Sequence, residues 1–540
     1  MVTDAARQTL QRARDHVLAL QHPQGWWQGE LETNVTMDAE DLLLREFLGV
    51  HDDAAVAAAA RWIRSQQRDD GTWANFFGGP GDLSTTVEAY LALRLAGDPP
   101  DALHMKQACA WILDQGGVEA ARVFTRIWLA LSGLWSWDDL PVIPPELIWL
   151  PAWFPLNIYD WGCWARQTIV ALAVVGSFRP SRPLPFGIDE LKTGQAPRRR
   201  PADGWSRLFT ALDKALHLYR PVKRVRRAAL RRCAEWIIAR QERDGCWGGI
   251  QPPWVYSLMA LNLLGYQLDH PVMARGLAAL DRFLVAEDTP EGPVRRLEAC
   301  QSPVWDTVLI MTALADAGLP PDHPALVKAG RWVLGEEIRG PGDWQVRRPY
   351  LAPGGWAFEF DNDSYPDTDD TAEVILALRR VAPGSLPGAK PAIGRGLRWL
   401  AGMQSSDGGW GAFDADNTRT LVNKLPFCDF GAVIDPPSAD VTAHIVEAFA
   451  AEGLAACYPV RRGGEWLLRA QEPDGSWFGR WGANYVYGTG AAVPALIAAG
   501  VKPSKPVIRR AVAWLEAHQN IDGGWGEDLR SYDDPALAGR

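Results

Sequence analysis

A short motif recurs six times along the chain and constrains its fold more than any other feature. In each copy a Gln is followed four residues later by Gly and six residues later by Trp. In five copies an Asp precedes the Gly. The six motifs are Gln21/Gly25/Trp27, Gln67/Gly71/Trp73, Gln241/Gly245/Trp247, Gln404/Gly408/Trp410, Gln471/Gly475/Trp477 and Gln519/Gly523/Trp525. Self-similarity of this kind is typical of architectures in which one small unit stacks on the next.

Each motif follows a helical pattern such as residues 511–518, and its Asp-Gly pair is a natural C-terminal stop for that helix. We expect the Gln amide to bond free backbone groups at a neighbouring helix end, with the Trp ring covering the join. More helical stretches, including residues 85–94 and 308–315, lie between the motifs, and β-branched alternation is scarce. Tandem helix pairs of this kind predict α/α barrels or open solenoids.

The spacing of the motifs predicts two helical domains. Two motifs lie near the N-terminus, one follows a wide gap, and three lie close together towards the C-terminus. The Pro-rich, motif-free stretch 140–201 is expected to hold long surface loops, at residues 142–145, 179–185 and 197–201.

Composition excludes several classes of protein. The net charge of −10 and the pI near 5.5 argue against a nucleic-acid partner. The seven Cys include no CxxC pair, which indicates reduced thiols in a cytosolic protein. The N-terminus has no signal-peptide pattern, and no apolar run approaches the roughly 20 residues that span a bilayer. We therefore expect a folded protein that is soluble or lies on a membrane.

The acidic stretch 358–376 is the strongest candidate for chemistry. Six carboxylates lie within twelve residues, at Glu359, Asp361, Asp363, Asp367, Asp369 and Asp370. Pro366 disfavours helix before it, so residues 367–370 fall at or just before the first turn of a helix. Capping that helix needs one Asp. Like charges this close cannot all ionise cheaply, so we predict that at least one has a raised pKa and holds a proton.

A basic amphipathic segment follows residue 201. The apolar stripe consists of Trp205, Leu208, Phe209, Leu212, Leu216 and Tyr219, and seven cations follow it: Arg220, Lys223, Arg224, Arg226, Arg227, Arg231 and Arg232. The pattern fits an ordinary barrel helix with a solvated basic face. It fits equally a patch that lies on an anionic membrane surface.

The acidic stretch and the repeats together resemble one enzyme family. Residues 354–370 resemble the Asp-x-Asp-Asp signature of squalene–hopene cyclases, and the Gln-to-Trp motifs look like the QW motifs of that family. Further agreeing stretches are Asn-Val-Thr-Met at 34–37, Arg-Val-Phe-Thr-Arg at 122–126, Gly-Gly-Ile-Gln-Pro-Pro-Trp at 248–254, Ser-Pro-Val-Trp-Asp at 302–306, Pro-Pro-Ser-Ala-Asp-Val-Thr-Ala-His at 436–444 and Trp-Phe-Gly-Arg-Trp at 477–481. The resemblance covers essentially the whole chain.

The resemblance implies an all-α fold, a double α/α barrel in which an α/α barrel is inserted into an α6/α6 barrel. Residues 1–30 and 301–540 would form the catalytic barrel, and 31–300 the inserted one. It implies a cyclase that turns squalene, or a related linear polyprenoid, into hopene or hopanol without metal or organic cofactor. Such enzymes lie on one side of a membrane, here the cytoplasmic face, and are usually homodimers. Because family members continue through further helices after the last motif seen here, we expect this catalytic barrel to be open.

The resemblance also assigns the acid. Asp369 would protonate the substrate, flanked by Asp367 and Asp370, and His444 would match the partner histidine of the family. An imidazolium that donates to Asp369 would favour its ionised form and so strengthen the acid. Asp440, one helical turn before His444, is expected to orient the ring.

A cation formed from the substrate needs walls that stabilise charge without capturing it, which favours aromatic faces. By motif match these are Trp164, Trp305, Phe358, Phe413 and Trp481, with Tyr487 near the acid. Phe413 replaces a Tyr that is usual in the family, which predicts a change in the fidelity of ring formation there. Taken singly, any one of these Trp residues is better explained as a packing residue.

The last cation must lose a proton or take up water. The resemblance implies a polar cluster for this step, formed by Glu40, Glu88, Arg122 and Gln251. The simpler interpretation, a solvated helix face, suits Glu40 better than Gln251, which is followed by two prolines.

Other functions remain open at this level. Glycoside hydrolases and lyases also use α/α barrels, Trp-lined clefts and paired carboxylates. Residues 369–373 match a magnesium-binding DDxxE pattern, and Cys428, Asp429 and His444 a weak zinc set. An inactive, truncated cyclase scaffold is the non-catalytic alternative.

Overall fold

The computed structural model describes residues 4–195, 204–219, 221–429 and 431–540. Within them the regular secondary structure is helical apart from one antiparallel β-hairpin, and loops and turns connect the helices. The first helices are α1 (Asp4–Ala19), α2 (Thr36–Leu48), α3 (Asp53–Ser65), α4 (Leu83–Leu95), α5 (Leu103–Asp114), α6 (Val123–Leu131), α7 (Cys163–Phe178), α8 (Gly204–Leu218), α9 (Lys223–Ile238), α10 (Gln251–Leu263) and α11 (Pro271–Leu280). The hairpin is β1 (Leu284–Thr289) and β2 (Gly292–Leu297). The remaining helices are α12 (Pro303–Asp316), α13 (Pro324–Gly335), α14 (Thr368–Leu378), α15 (Ala389–Met403), α16 (Ala439–Ala451), α17 (Tyr458–Ala470), α18 (Tyr485–Ala498) and α19 (Pro506–Ala517).

The chain divides into two compact units. Unit 1 comprises Met1–Gly29, Gln301–Thr418 and Asp435–Arg540, and unit 2 comprises Glu30–Cys300 and Arg419–Ile434. The sequence division differs from this at residues 419–434, which it placed in the catalytic barrel. They belong with unit 2 because Gly162 N donates to Val433 O over 2.9 Å, Asp429 accepts from Val123 N, and Phe427 stacks on Trp161.

Unit 1 has two layers of helices, and the burial of each helix shows its layer. Helices α12, α14, α16 and α18 pack side by side in chain order, and α13, α15, α17 and α19 lie against them. Every residue of the inner helix α14 is buried. The outer helix α17 buries only Val460, Gly463, Gly464 and Leu467, which form a single stripe at helical spacing. This layering is that of an α/α barrel.

Unit 2 repeats the scheme. Its inner helices are α2, α4, α6, α7 and α10, and its outer helices α3, α5, α9 and α11 pack against them. The hairpin, in which Leu284 pairs with Leu297, packs on α3 and α2. Asp38 of α2 accepts a hydrogen bond from Leu297 N over 2.7 Å. The chain is therefore all-α, a double α/α barrel.

Five of the six Gln-to-Trp motifs join neighbouring helix pairs through hydrogen bonds, as the sequence predicts, whereas, among the described residues, the amide of Gln519 donates only to Gly523 O of its own turn. Gln404 Nε2 donates to Gly408 O (2.8 Å) and to Pro459 O (2.9 Å), at the start of the next outer helix. Trp410 donates from Nε1 to Leu400 O and from its backbone N to Thr442 Oγ1 of the next inner helix. A Cβ on Gly408, whose φ is +104°, would lie 2.9 Å from a backbone oxygen, so the turn requires glycine.

A further joint of this kind lacks the Gln, and the motif search misses it. Trp356 donates from its backbone N to Thr371 Oγ1 over 3.0 Å and from Nε1 to Val333 O over 2.8 Å. Gly354 lies against the next outer helix, where an added Cβ would be 2.9 Å from Arg395 Cβ. This joint sets the start of α14, on which the acidic stretch ends.

Candidate active site

Asp369 and His444 form a buried pair on the facing inner helices α14 and α16. His444 Nδ1 lies 2.6 Å from Asp369 Oδ1. Asp369 is 7% exposed. Within the described part of the chain, no hydrogen bond engages its second oxygen, Oδ2. One carboxyl oxygen is thus bound by the ring, while the other remains available to a substrate.

Helix α14 begins where it does because Asp367 caps it. The Asp367 side chain accepts from Asp370 N over 2.7 Å, and Asp367 N donates to Trp356 O over 2.9 Å. The capping interpretation therefore holds for Asp367. It leaves Asp369, two residues further on, to face α16.

The imidazole is positively charged at neutral pH. Burial by itself lowers its pKa, but when Asp369 is ionised, the charge of that carboxylate, the hydrogen bond to it and the charge of Glu373 together raise the pKa of His444 to about 10. This is the charge state that the sequence analysis assigned to His444. The Nδ1–H group consequently donates a charge-assisted hydrogen bond to Asp369.

Glu373 is a third member of this group, and the sequence analysis gave it no role. Its Oε1 lies 3.8 Å from His444 Nδ1, one helical turn along α14 from Asp369. Burial, and then the charges of Asp369 and Glu447, raises the pKa of Glu373 to about 7 against the lowering effect of His444. The i, i+4 spacing of Asp369 and Glu373 is the sequence signal that could have found it.

Asp367 and Asp370 are the carboxyl groups of the acidic stretch whose surroundings favour the protonated form. Burial first, and then the negative charges of neighbouring carboxylates, raises the pKa of both far above the ordinary range. The sequence analysis predicted a raised pKa for at least one member of the acidic stretch, and it applies to these two.

Asp440 does not orient the imidazole by a hydrogen bond, which corrects the expectation drawn from helical spacing. Its Oδ1 accepts from Ser438 Oγ (2.5 Å) and its Oδ2 accepts from the backbone N atoms of Arg480 (2.8 Å) and Trp481 (2.7 Å). The carboxylate lies at the start of α16 and turns towards that loop instead of along the helix. Asp440 therefore holds the loop that carries Trp481, and it acts on His444 only through its charge.

Three aromatic residues lie around the acid pair. The ring of Trp305 is 6.4 Å from His444 and 6.4 Å from Phe358, and the ring of Tyr487 meets His444 edge-on at 6.0 Å. Burial, and then the charge of Asp369, raises the pKa of Tyr487, so its hydroxyl is neutral. Trp305, Phe358 and Tyr487 are half-buried.

Phe413 and Trp481 contact each other edge-on, with ring centres 5.7 Å apart. Each ring is carried by a loop whose backbone N–H groups bind a buried carboxylate. Asp435 accepts from the backbone N atoms of residues 412, 413 and 414, as Asp440 does from those of 480 and 481. These hydrogen bonds to Asp435 fix the position of Phe413. The sequence analysis did not identify Asp435.

Trp164 belongs to unit 2. It is the second residue of α7, it is half-buried, and its Nε1 donates to Ala432 O over 3.2 Å. The structure therefore assigns it to the inner layer of unit 2, on a different unit from the other predicted wall residues.

Glu40 and Glu88 lie on the inner helices α2 and α4 of unit 2 and are 7% and 4% exposed. Thr125 Oγ1 donates to Glu88 Oε1 over 2.5 Å. Burial raises the pKa of Glu88 to about 7, and burial together with the charge of Glu88 raises that of Glu40 well above its ordinary value. The solvated-face interpretation of Glu40 is therefore wrong, and burial favours the protonated form of both carboxyl groups.

The other two predicted members of this cluster differ in burial. The Arg122 guanidinium is half-exposed and donates to Asp82 Oδ1 over 3.0 Å. Gln251 is 1% exposed, and within the described residues neither of its amide atoms has a hydrogen-bond partner.

Two residues of this cluster were not found from the sequence. Trp128 Nε1 and the Tyr256 hydroxyl are buried and make no hydrogen bond of ordinary geometry with a described group, although Trp128 and Gln251 lie close enough to Glu40 to lower the pKa of its carboxyl group. The rings of Trp128 and Tyr256 lie 5.7 Å apart. An unpaired buried polar group costs about 1–3 kcal/mol, so several in one place indicate a site for a small polar molecule such as water. We refer to Glu40, Glu88, Gln251, Trp128 and Tyr256 as the unit 2 polar cluster. Nothing in the sequence separates Trp128 or Tyr256 from packing aromatics.

Among the described residues, no group of three or more His, Cys, Asp or Glu side chains is arranged to hold a metal ion. In the same residues, we find no helix whose length and apolarity together would let it cross a bilayer.

Comparison with known proteins agrees with this geometry. The model of the squalene-hopene cyclase N-terminal domain matches residues 10–289, and that of the C-terminal domain matches residues 301–540. The chain is 50% identical to the squalene–hopene cyclase of Alicyclobacillus acidocaldarius, over 99% of this chain and 85% of that protein. It is 41% identical to the enzyme of Zymomonas mobilis, over 98% of this chain and 83% of that protein. Among solved structures, ent-copalyl diphosphate synthase from Streptomyces platensis is similar at 19% identity with a TM-score of 0.48, over 96% of this chain and 84% of that one. The chain belongs to the squalene–hopene cyclase family.

Proposed function

We propose that this protein is a class II triterpene cyclase that protonates squalene and cyclises it to hopene or hopanol through carbocations. The observation that carries the proposal is the 2.6 Å contact between His444 Nδ1 and Asp369 Oδ1 inside a buried, aromatic surrounding. The glycoside hydrolase alternative finds no support in the family matches.

Asp369 supplies the proton. The O–H bond at Oδ2 breaks as a C–H bond forms at the terminal alkene, leaving a tertiary cation on the substrate. A cation held against Oδ1 favours the resulting carboxylate by about 4 kcal/mol at an effective dielectric constant of about 20. His444 therefore makes Asp369 a stronger acid than an isolated carboxylic acid.

The aromatic rings stabilise the cation once it has formed. Trp305 and Phe358 present faces that attract positive charge but form no bond with it. Phe413 and Trp481 extend this role, because Asp435 and Asp440 hold their loops in place. Trp164 has the same role in the proposal, on the strength of its motif match.

The unit 2 polar cluster ends the reaction. An uncharged acid beside unpaired amide, indole and phenol groups can hold water, which either adds to the last cation or accepts a proton from it. Arg122 contributes its charge, which lowers the pKa of Glu88.

The test is conversion of squalene by the purified chain, followed by gas chromatography of the apolar products. Wild type should release cyclised triterpenes, and Asp369→Asn should lose all turnover while its circular dichroism and unfolding temperature stay close to wild type. Release of reducing sugar from polysaccharides by the wild type, without cyclised products, would favour the hydrolase instead. Turnover retained by Asp369→Asn would remove Asp369 from the role of acid.

We further propose that α8 and the start of α9 lie on a membrane surface. Trp205, Leu208 and Leu212 are each about half exposed, and Leu218 and Val222 more so. Phe209, by contrast, is buried beneath Trp205, so the apolar stripe is narrower than the sequence indicates. Exposed apolar side chains beside the exposed cations of α9 suit an interface with anionic lipid. Two of these cations are paired within the protein, Arg226 with Glu146 over 2.7 Å and the exposed Arg232 with Glu235 over 3.5 Å. Arg220 and loop 197–201 lie outside the described residues.

Co-sedimentation with phosphatidylglycerol vesicles tests this surface. Leu208→Asp combined with Leu212→Asp should reduce bound protein about tenfold or more, because two buried apolar side chains contribute about 1.5–3 kcal/mol each. The matched control is Leu103→Asp, an exposed leucine on α5. Equal binding by the double variant and the control would contradict the proposal. Placement on the cytoplasmic face of the cell membrane and formation of a homodimer are also part of the proposal; sedimentation equilibrium checks the latter.

A further inference from the structure

Helix α7 carries a buried glutamine that the mechanism above does not use. Gln167 is 2% exposed, and both of its neighbours in sequence have partners within the protein. Arg166 donates to Trp161 O over 3.0 Å, and Thr168 Oγ1 donates to Trp164 O over 2.9 Å. Within the described part of the chain, neither Nε2 nor Oε1 of Gln167 has a hydrogen-bond partner. A buried amide in this state is destabilising, which indicates a partner outside the protein, such as water.

The amide of Gln167 lies against the loop that leads into α10, the helix that packs beside α7. A Cβ placed on Gly248 would lie 2.5 Å from Gln167 Nε2 and 3.3 Å from Gln167 Cδ, so the amide occupies the space that this glycine leaves open. The φ of Gly248 is +65°, a left-handed conformation that favours glycine. Gln251 begins α10 three residues later and belongs to the unit 2 polar cluster. The amide is thus placed beside the start of α10.

The amide does not act as a cap for α10. Capping requires free backbone N–H groups in the first turn of a helix. Gln251 N already donates to Ala299 O over 3.3 Å, and Pro252 and Pro253 have no N–H group. A structural role at this helix end therefore leaves the amide unexplained, whereas a bound water would satisfy it.

Gln167 also shares a face of α7 with Trp164, which the proposal above places among the cation-stabilising aromatic residues. The two residues are three positions apart, the spacing at which helical side chains are neighbours. Gln167 is therefore on the side of α7 on which the proposed function requires the cation.

We propose that Gln167 is a specificity-determining residue: its amide holds a water molecule beside Gln251, and this water adds to the last cation, so that Gln167 sets the ratio of alcohol to alkene among the products. The inference rests on the proposed cyclase function and deepens it. Addition requires a nucleophile that is held at the cationic carbon. Gln167 Oε1 accepts a hydrogen bond from this water and leaves a lone pair of the water oxygen for the cation.

Atoms and protons balance on both routes. In hydration, a C–O bond forms between the held water and the cationic carbon, and one O–H bond of that water then breaks as its proton passes to a second water. In alkene formation, a C–H bond beside the cationic carbon breaks, its electron pair becomes the second bond of the alkene, and the proton again passes to water. Neither route consumes an oxidant, a reductant or a cofactor.

The experiment measures the products that wild type, Gln167→Met and Gln167→Leu release from squalene in water enriched in oxygen-18. Both substitutions remove the amide and keep a side chain of similar size. We expect the ratio of labelled alcohol to alkene to fall at least about fivefold in both variants, which corresponds to about 1 kcal/mol between the two barriers. Total turnover should stay within about threefold of wild type, because Asp369 and His444 are unchanged.

Thr168→Val is the matched control, because it removes a buried hydroxyl of the same helix whose hydrogen bond lies within the protein. It should lower the unfolding temperature and keep the wild-type product ratio. Gln167→Met loses no hydrogen bond to a described residue, so its unfolding temperature should equal or exceed that of wild type. A wild-type ratio in the Gln167 variants, a lowered unfolding temperature in both of them, or wild-type products without alcohol overturns the inference. If wild type forms no cyclised product at all, the proposed function fails instead, and the two failures are thereby distinguished.

Discussion

Both units bury carboxyl groups on their inner helices, but of the two candidate clusters described above, only that of unit 1 places a cation within hydrogen-bond distance of one of its carboxyl groups. Asp369 lies against His444 at 2.6 Å, whereas Glu40 and Glu88 share their surroundings with an alcohol, an amide, an indole and a phenol. A counter-charge allows a buried carboxylate to exist after it has given up its proton; without one, the group stays an acid. The comparison shows that burial supplies proton affinity in both units, and that the neighbouring charge decides which carboxyl can donate.

Removing the positive charge of His444 should leave Asp369, like Glu40 and Glu88, without a paired cation. We expect His444→Gln to lower the single-turnover rate with squalene about 1,000-fold, which corresponds to the roughly 4 kcal/mol that the cation contributes. His518→Gln changes another half-buried histidine of unit 1 and should leave the rate within about twofold of wild type. A loss below tenfold in His444→Gln would break the comparison.

The unit 2 polar cluster should reveal itself in the pH dependence of stability. The folded pKa of Glu88, about 7, is above its unfolded value of 4.5. Its contribution is therefore fully present below pH 4.5 and is lost as pH rises to 7, by about 3 kcal/mol. Glu88→Gln lacks the titrating group and does not suffer this loss. The free energy of unfolding of the variant, relative to that of wild type, should therefore increase between pH 5 and pH 8. Urea unfolding at both pH values measures it, and parallel curves for the two proteins would contradict the assignment.

Glu373 should influence the pH at which His444 loses its proton. Its carboxylate raises the pKa of His444, which is about 10. Glu373→Gln should therefore move the alkaline limb of the single-turnover rate to lower pH, with a loss of about tenfold at pH 9. Glu447→Gln, a change on α16 one turn beyond His444, is the control. An alkaline limb that stays where it is in wild type would contradict this role of Glu373.

The smallest expected effect concerns the hydrogen bond from Thr125, which lowers the pKa of Glu88. Thr125→Val removes the 2.5 Å donor and should lower the free energy of unfolding by about 1 kcal/mol. The pKa of Glu88 should rise further, because the donor favours the carboxylate. Thr168→Val, which removes the hydroxyl bond of Thr168 to Trp164 O in unit 2, offers a comparison for the stability change alone. A fall in the pKa of Glu88 would be inconsistent with this arrangement.

Local patterns predicted the parts of the fold that depend on neighbours in sequence. The Gln-to-Trp motifs indicated where helices end and which groups join them, because a turn and its capping bonds lie within a few residues. The start of α14 followed from Pro366 and the acidic residues after it. The motif search did not find the joint at Trp356 because this joint lacks the Gln, although the same backbone contacts form.

The amino-acid sequence by itself determined the repeated helix pairs and the family, and it predicted the residues to which we assign the acid chemistry. Only the tertiary structure decided which partner each carboxyl group has: Asp369 meets a residue 75 positions away, Asp440 turns to the loop of Trp481, and Glu40 is buried instead of solvated. The reason is physical. Turns and caps depend on bonds within a few residues, whereas the charge of a buried acid depends on which helices pack around it.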